Sequence, residues 1–298
     1  MEYTRLLKRG RSGADVRYMK DALVQLGYLK VSTHDRFGDD TYAAVKAYQR
    51  ENRDTAGRRL TVDGIIGQKT WNAIVRDITA EEELPPADTG EIPKNIGAAA
   101  AEAIAASLQT VSDTRKQIVL LGLSFAYDPT VPRDYPYSLY IRGGNLYNTD
   151  LSPNRIDAAR IEDGARRQPQ YYDGGSKEMM LETVAKYPET TGADCSGGIV
   201  GLMRKLELVG RTFDKTADSL CGSSHSSAIE KSALRAGDFI GRPGHIGLYA
   251  GGGYVVEWAG KRYGCQLTKV DDRRVYDFVS RSMRKLSTWS KFRDPKYY

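Results

Sequence analysis

The chain has 298 residues, of which 28% are charged, with a formal net charge of +6, 3 cysteines and 3 histidines. That length suits two domains and a linker, with room for one unit of about 190 residues that buries a full core. So few cysteines exclude a disulfide framework, and dispersed Lys and Arg without zinc-finger spacing or an RNA-binding aromatic signature exclude nucleic acid as the expected partner.

The N-terminal segment opens with an amphipathic helix whose inner face carries Val16, Met19, Leu23 and Leu26. Two stretches then repeat each other with an offset of 29: His34-Asp-Arg-Phe-Gly38-Asp-Asp-Thr41 and Asp63-Gly-Ile-Ile-Gly67-Gln-Lys-Thr70. Each reads as a glycine turn followed by a threonine that caps a helix. Tyr42, Val45 and Tyr48 form the apolar face after the first, and Trp71, Ile74 and Val75 after the second. The expectation is an all-α, three-helix domain over residues 1–78. With Leu7-Lys-Arg-Gly-Arg-Ser-Gly13 and Leu26-Gly-Tyr-Leu29, the span from Leu6 to Ile78 strongly resembles the small peptidoglycan-binding domain often attached to wall hydrolases. The resemblance implies bacterial peptidoglycan as partner, and the positive net charge suits its anionic polymers.

Residues 79–95 read as a linker: Glu81-Glu-Glu-Leu-Pro-Pro-Ala-Asp-Thr-Gly-Glu-Ile-Pro93 is acidic, proline-containing and poor in apolar residues. From Ile96 to about Gly122 the chain reads as helical and alanine-rich, too short and too flanked by charge to span a bilayer. No stable membrane insertion is therefore expected, and this helix leads into a third segment, 96–298. Met-Glu-Tyr-Thr-Arg-Leu-Leu-Lys lacks the apolar run of a secretory signal, so the expected route to the wall is release through a phage holin, or export by another path.

Further along, Tyr171-Tyr-Asp-Gly-Gly175 precedes a helix expected from Ser176 to about Tyr187. Another helix starts near Cys195, with Ile199, Leu202, Met203 and Leu206 at helical spacing and Asp194 or Ser196 as cap. Cys195 then lies in the first turn, where the helix dipole favours a thiolate nucleophile. Cys221 and His225 have a ligand-like spacing but lack the further donors of a structural zinc site, so a polar mobile loop is the expectation, with no metal and no cofactor. Cys221 and Cys265 read as packed thiols rather than a disulfide. His245 opens a hairpin through the glycines at 251 to 253, and Glu257 follows twelve residues later on the second strand. On paired strands this carboxylate can hold the imidazole of a base for Cys195.

Asp-Cys-Ser-Gly on a helix, Leu234-Arg-Ala-Gly-Asp238, and Gly-His-Ile-Gly-Leu-Tyr on a strand together resemble the NlpC family of cell-wall cysteine peptidases. The resemblance implies an α+β papain-like domain, with the cysteine helix packed on an antiparallel sheet, beside the small helical domain. It implies Cys195 as nucleophile, His245 as base and Glu257 in a third position that relatives fill with His, Asn or Gln. Tyr140-Ile-Arg-Gly143-Gly144 fits the family's tyrosine-x-x-glycine-glycine segment, which puts the Tyr140 hydroxyl near the oxyanion site. In relatives that segment lies about a dozen residues before the cysteine, whereas residues 145–193, an insertion of 49, intervene here. Such a length marks a binding loop, expected to wall one side of the substrate cleft. Asp194, Ser196 and Tyr187 are the expected substrate-binding residues.

The activity implied is hydrolysis of a stem-peptide amide, between D-glutamate and the diamino acid, by a monomer acting at the cell wall as an endolysin or autolysin. Two alternatives stand beside it: a CHAP-type amidase or cross-bridge endopeptidase, and a non-catalytic wall-binding phage structural protein.

Overall fold

The computed structural model describes residues 3–30, 35–55, 58–83 and 91–298. They fall into two compact units, 1–86 and 87–298. His34 and residues 84–90 of the expected linker 79–95 lie outside the described residues, and residues 79–83 continue the third helix instead of starting the linker.

The N-terminal unit is helical: α1 (Ala14–Gln25), α2 (Asp39–Glu51) and α3 (Gln68–Glu83). Their apolar faces close on one core containing Val16, Met19, Leu23, Val45, Tyr48, Trp71 and Ile74, with Leu7, Phe37 and Ile66 supplied by the loops. Leu7 bridges to Ile66, and the Phe37 N–H donates to the Arg11 carbonyl at 2.8 Å, so the two repeated turns are pinned to the first loop. The threonines do not cap the helices as expected. α2 starts behind Gly38, and the first bond of α3 runs from the Trp71 N–H to the Gly67 carbonyl, so each helix begins before its threonine. Thr41 and Thr70 are buried instead, and Thr70 Oγ1 accepts from the Gln49 amide at 3.1 Å. The Gln49 carboxamide also accepts from the Gly64 N–H at 2.8 Å, stitching α2 to the second turn.

The C-terminal unit begins with α4 (Ala98–Leu108) and α5 (Asp113–Leu123). The expected single helix is therefore two. Ser112 accepts a hydrogen bond from the Arg115 N–H and starts a new helix there, a local bond that competes with continuation. Next come β1 (Ser138–Tyr140), α6 (Ala158–Arg167), α7 (Ser176–Lys186), β2 (Thr191–Ala193), α8 (Cys195–Lys205) and α9 (Ala217–Leu220). Strands β3 (Ser226–Ala228), β4 (Phe239–Arg242), β5 (His245–Gly251), β6 (Tyr254–Gly260), β7 (Gly264–Lys269), β8 (Arg274–Asp277), β9 (Ser282–Lys285) and β10 (Lys291–Pro295) follow. Six of them make an antiparallel sheet in the order β3-β10-β4-β5-β6-β7, and α8 packs across β5 and β6.

Two glycines let α8 come so close. A Cβ at Gly198 would lie 2.1 Å from the ring of Trp258, and one at Gly197 would lie 1.9 Å from the Gly144 carbonyl oxygen. Trp258 is fully buried on β6 and anchors itself by donating from its indole N–H to Ser138 Oγ at 2.9 Å. The helix bearing the cysteine is thus held between the sheet and the segment that follows β1.

The far end of the sheet is fixed by charge. Asp238, fully buried before β4, accepts from the Arg115 guanidinium at 2.7 Å and from the Arg235 N–H at 2.7 Å. Arg115 reaches Asp294 on β10 as well, at 2.5 Å. Arg115→Ala leaves a buried carboxylate unpaired and is expected to destabilise the unit by about 3–5 kcal/mol, whereas an exposed ion pair is worth about 1 kcal/mol or less. Calorimetric unfolding of the wild type and the variant measures the difference.

Candidate active site

Cys195 begins α8, and Asp194 caps that helix: its Oδ1 accepts from the Gly197 N–H at 2.8 Å and from Ser196 Oγ at 3.0 Å. Its Oδ2 accepts from the Gly143 N–H at 2.9 Å. The carboxylate therefore binds two backbone segments together, and Ser196 spends its hydroxyl on the same group. Of the substrate-binding roles expected for this pair, the structure gives both residues a structural duty, although both still line the cleft. The positive end of the α8 dipole faces the Cys195 sulfur, which is 3.9 Å from the Gly244 carbonyl.

His245 starts β5 next to that glycine. Its Nε2 is 2.7 Å from Glu257 Oε2 on β6, which leaves Nδ1 as the ring nitrogen available to Cys195, close enough to shift the titration of this histidine. Antiparallel pairing of Leu248 with Val256 brings the two strands into the register that makes this contact. Burial by itself would lower the His245 pKa, but the hydrogen bonds to Cys195 and Glu257 and the charge of the carboxylate outweigh it and raise the pKa to about 9. Glu257 is fully buried, which by itself would favour the neutral acid. Hydrogen bonds from Arg273 and His245 win, and its pKa falls to about 2.

The groups behind Glu257 escaped the sequence reading. Arg273 donates through Nε to Oε1 at 2.9 Å and through Nη2 to Oε2 at 2.5 Å, and Thr268 Oγ1 donates to Oε1 at 2.7 Å. Trp289 stacks on the His245 ring with centroids 5.6 Å apart and planes 18° apart, and the Arg273 guanidinium lies 4.3 Å over the indole. Gly247 leaves room for this, since a Cβ there would lie 3.2 Å from the Trp289 ring. The imidazole is fixed by a carboxylate at one edge and an aromatic plane on one face. Nothing linear separates Arg273 from Arg274: the first has a side chain 2% exposed, the second 53%.

Tyr140 is carried to the site by pairing, not by sequence proximity. β1 runs parallel to β2 with Tyr140 opposite Ala193, two residues before Cys195. Burial, then the proximity of Cys195 and Asp194, pushes its hydroxyl well above the usual phenolic range. The segment 145–193 leaves after Gly144 and returns to the same place. Leu146 N–H donates to the Gly197 carbonyl at 3.1 Å, and Asp194 N–H donates to the Gly144 carbonyl at 2.9 Å. Gln168, Gln170 and Tyr171 from this segment line a cleft of about 880 Å³ that also contains Cys195, Arg142, Lys215 and Gly244.

Tyr187 is not among the cleft's lining residues. It ends α7 and packs on Arg133, whose guanidinium lies 3.8 Å over its ring and 3.9 Å over that of Tyr137, a cation–π contact that holds it elsewhere. His225 also has fixed neighbours. Its Nδ1 is 2.5 Å from the Tyr297 hydroxyl and its ring stacks on Tyr297, so the stretch expected to be a mobile loop gives the imidazole fixed partners. All three cysteines are free. Burial pushes the Cys221 thiol up to about 11 and the Cys265 thiol well above its ordinary value, as for packed, unreactive sulfurs.

Residues 12–74 match the family model described as "Putative peptidoglycan binding domain". No curated protein sequence matches the chain. Among solved structures, that of the Burkholderia AP3 phage endolysin is similar at 20% identity, covering 63% of this chain and 54% of that one, with a TM-score of 0.20. A superposition at that score bears on neither fold nor chemistry. No helix among the described residues is long and apolar enough to cross a membrane.

The charge network fixes the pH response. Glu257, lowered from 4.5 to about 2, contributes stability that is present above about pH 4.5 and lost as pH falls through about 2. His245, raised from 6.5 to about 9, contributes stability that is full below about pH 6.5 and lost as pH rises through about 9. The stability gap between wild type and Glu257→Gln is therefore expected to be widest between those limits and to narrow on both sides, as read from unfolding temperatures across the pH range.

Proposed function

We propose that the chain is a peptidoglycan hydrolase whose C-terminal unit, of papain-like NlpC type, cleaves an amide bond of the wall stem peptide. The observation that carries the reading is Cys195 at the start of α8, its sulfur beside Gly244 and close to His245, whose ring Glu257 holds at 2.7 Å, all beside an open cleft. A buried structural cysteine needs neither a charged imidazole nor a cavity over its sulfur. The match of residues 12–74 to a peptidoglycan-binding family supports the wall as the place of action.

In the proposed reaction the Cys195 sulfur, as thiolate, attacks the amide carbonyl carbon. The Cys195 N–H and the Tyr140 hydroxyl serve as donors for the oxygen that gains charge. A pKa raised to about 9 keeps His245 protonated near neutrality, so it can give its Nδ1 proton to the leaving amine as the C–N bond breaks and a thioester forms. Neutral His245 then takes a proton from water, whose oxygen attacks the thioester, releasing the acid and restoring the thiolate. Glu257 holds the ring and offsets its charge throughout. Arg273 keeps Glu257 ionised, so it acts through another group and is a positioning residue. These bond changes require neither metal nor cofactor. The bond expected to break joins D-glutamate to the diamino acid, as the NlpC resemblance implies.

Digestion of purified sacculi, with mass spectrometry of the soluble fragments, tests this. Wild type should release peptides ending at one stem bond, and Cys195→Ala should lose about 10³-fold or more of that release. Release of lactyl-linked or cross-bridge termini would point to the CHAP-type alternative. Equal release by both proteins would remove Cys195 as nucleophile, and sacculus binding without release by either would favour the non-catalytic wall-binding protein.

A further inference from the structure

The cleft beside Cys195 is contiguous with a second depression of about 430 Å³, since both are lined by Gly143, Gly144, Asn145 and Asp214. Among the described residues, four cations line this pair of cavities without a salt bridge to a carboxylate: Arg142 and Lys215 in the first, Arg160 and Arg204 in the second, of which Arg204 is spent on the Phe213 and Tyr147 carbonyls. The acids around them are mostly committed. Asp194 holds the Gly143 N–H, the Gly197 N–H and Ser196. Asp218 holds the Gly244 N–H and Lys291, which leaves Asp214 as the one lining carboxylate without a partner among the described residues.

Arg142 is the best placed of the cations. It follows Ile141, whose N–H donates to the Ala193 carbonyl at 3.0 Å, and precedes Gly143, whose N–H is bound by the residue before Cys195. Its backbone is thus fixed from both sides within one turn of the nucleophile. Its guanidinium is exposed, lies 5.5 Å over the ring of Tyr171 from the inserted segment, and is within interaction range of Tyr140 and of the Asp194 carboxylate. A guanidinium kept for stability would be expected to form a salt bridge; this one lies over an aromatic ring and feels the Asp194 carboxylate only at longer range, with no salt bridge among the described residues.

We infer that Arg142 is a specificity residue that binds a free carboxylate next to the attacked carbonyl, so that the cleft distinguishes a peptide carrying that carboxylate from one carrying the carboxamide. The inference rests on the amide-hydrolase reading. In a stem peptide the matching group is the α-carboxylate of the γ-linked glutamate, only a few bonds from the scissile carbonyl. Arg supplies two parallel N–H donors suited to that planar anion, and a carboxamide offers one acceptor and no charge. Tyr171 gives the inserted segment a role in this, as the plane that orients the guanidinium.

The test is isothermal titration of the full chain carrying Cys195→Ala, which binds without turnover, with two probes. One is the tetrapeptide L-Ala-γ-D-Glu-L-Lys-D-Ala; the other is the same peptide with D-isoglutamine in place of D-glutamate. The carboxylate form should bind about tenfold more tightly, the scale of one charge-assisted hydrogen-bond pair in a solvated site. Adding Arg142→Gln should bring the ratio close to one, and Arg142→Lys, which keeps the charge but not the fork, should retain part of it. Equal binding of the two peptides, binding of neither, or a preference that survives Arg142→Gln would overturn the inference. Sacculus digestion by the wild-type chain is read separately. Cleavage without a carboxylate preference removes only this inference, and a preference without cleavage removes only the hydrolase reading.

Discussion

The site depends on one carboxylate that has no contact with water. Glu257 sits at 0% exposure, where desolvation alone would keep its proton on, and it is ionised because Arg273, Thr268 and His245 together satisfy its oxygens. That ionised group then outweighs the burial of His245 and raises its pKa to about 9. The order of cause runs inward to outward: an arginine buried under Trp289 sets the carboxylate, the carboxylate sets the imidazole, and the imidazole faces the sulfur at the cleft. Coulombic interaction is strong enough to do this because the groups lie in a region of low dielectric, where an unpaired member would be equally costly.

The second constraint is steric. α8 must lie close to Trp258 and to the Gly144 backbone for Cys195 to reach Gly244 and His245, and side chains at positions 197 and 198 would forbid it. The same close approach explains how the chain accommodates a long excursion between Tyr140 and Cys195. Parallel pairing of β1 with β2 and the Asp194 clamp on Gly143 close the excursion at its base, so its length is spent on the cleft wall, outside the packing around the cysteine. Loop closure costs only slowly increasing entropy with length, so an insertion anchored at both ends in this way is tolerated.

Much of this was legible in the linear chain where spacing maps directly onto periodicity. The faces of α1 to α3, the cysteine in the first turn of α8, and His245 and Glu257 on the two strands of one hairpin all follow from local patterns of 3.6 and 2 residues. The departures have separate causes. Thr41 and Thr70 look like caps but are buried, Thr41 bonded to its neighbour Asp40 and Thr70 to Gln49. The run from Ile96 to Gly122 looks like one helix, but Ser112 restarts it. Tyr187 looks close to the cysteine in sequence, while an arginine stack holds it elsewhere. At Thr70 and Tyr187 a local reading yields to a partner distant in sequence, whereas at Ser112 a local cap worth about 1 kcal/mol decides where the helix restarts.

Local spacing was enough to separate a helical repeat module from a larger mixed unit, to place imidazole and carboxylate on one hairpin, and to find the cap that starts the cysteine helix. These rest on neighbours within a turn or a hairpin, where chain connectivity fixes distance. Packing at long range settled the rest: Arg273 rather than Arg274 turns inward, Trp289 covers the imidazole, Tyr140 lies opposite Ala193 across the 145–193 excursion, and Arg142 stands at the cleft without a salt bridge among the described residues. The physical reason is that burial and charge pairing depend on which surfaces meet when the sheet, α8 and the excursion pack together, and a linear spacing carries no record of that meeting.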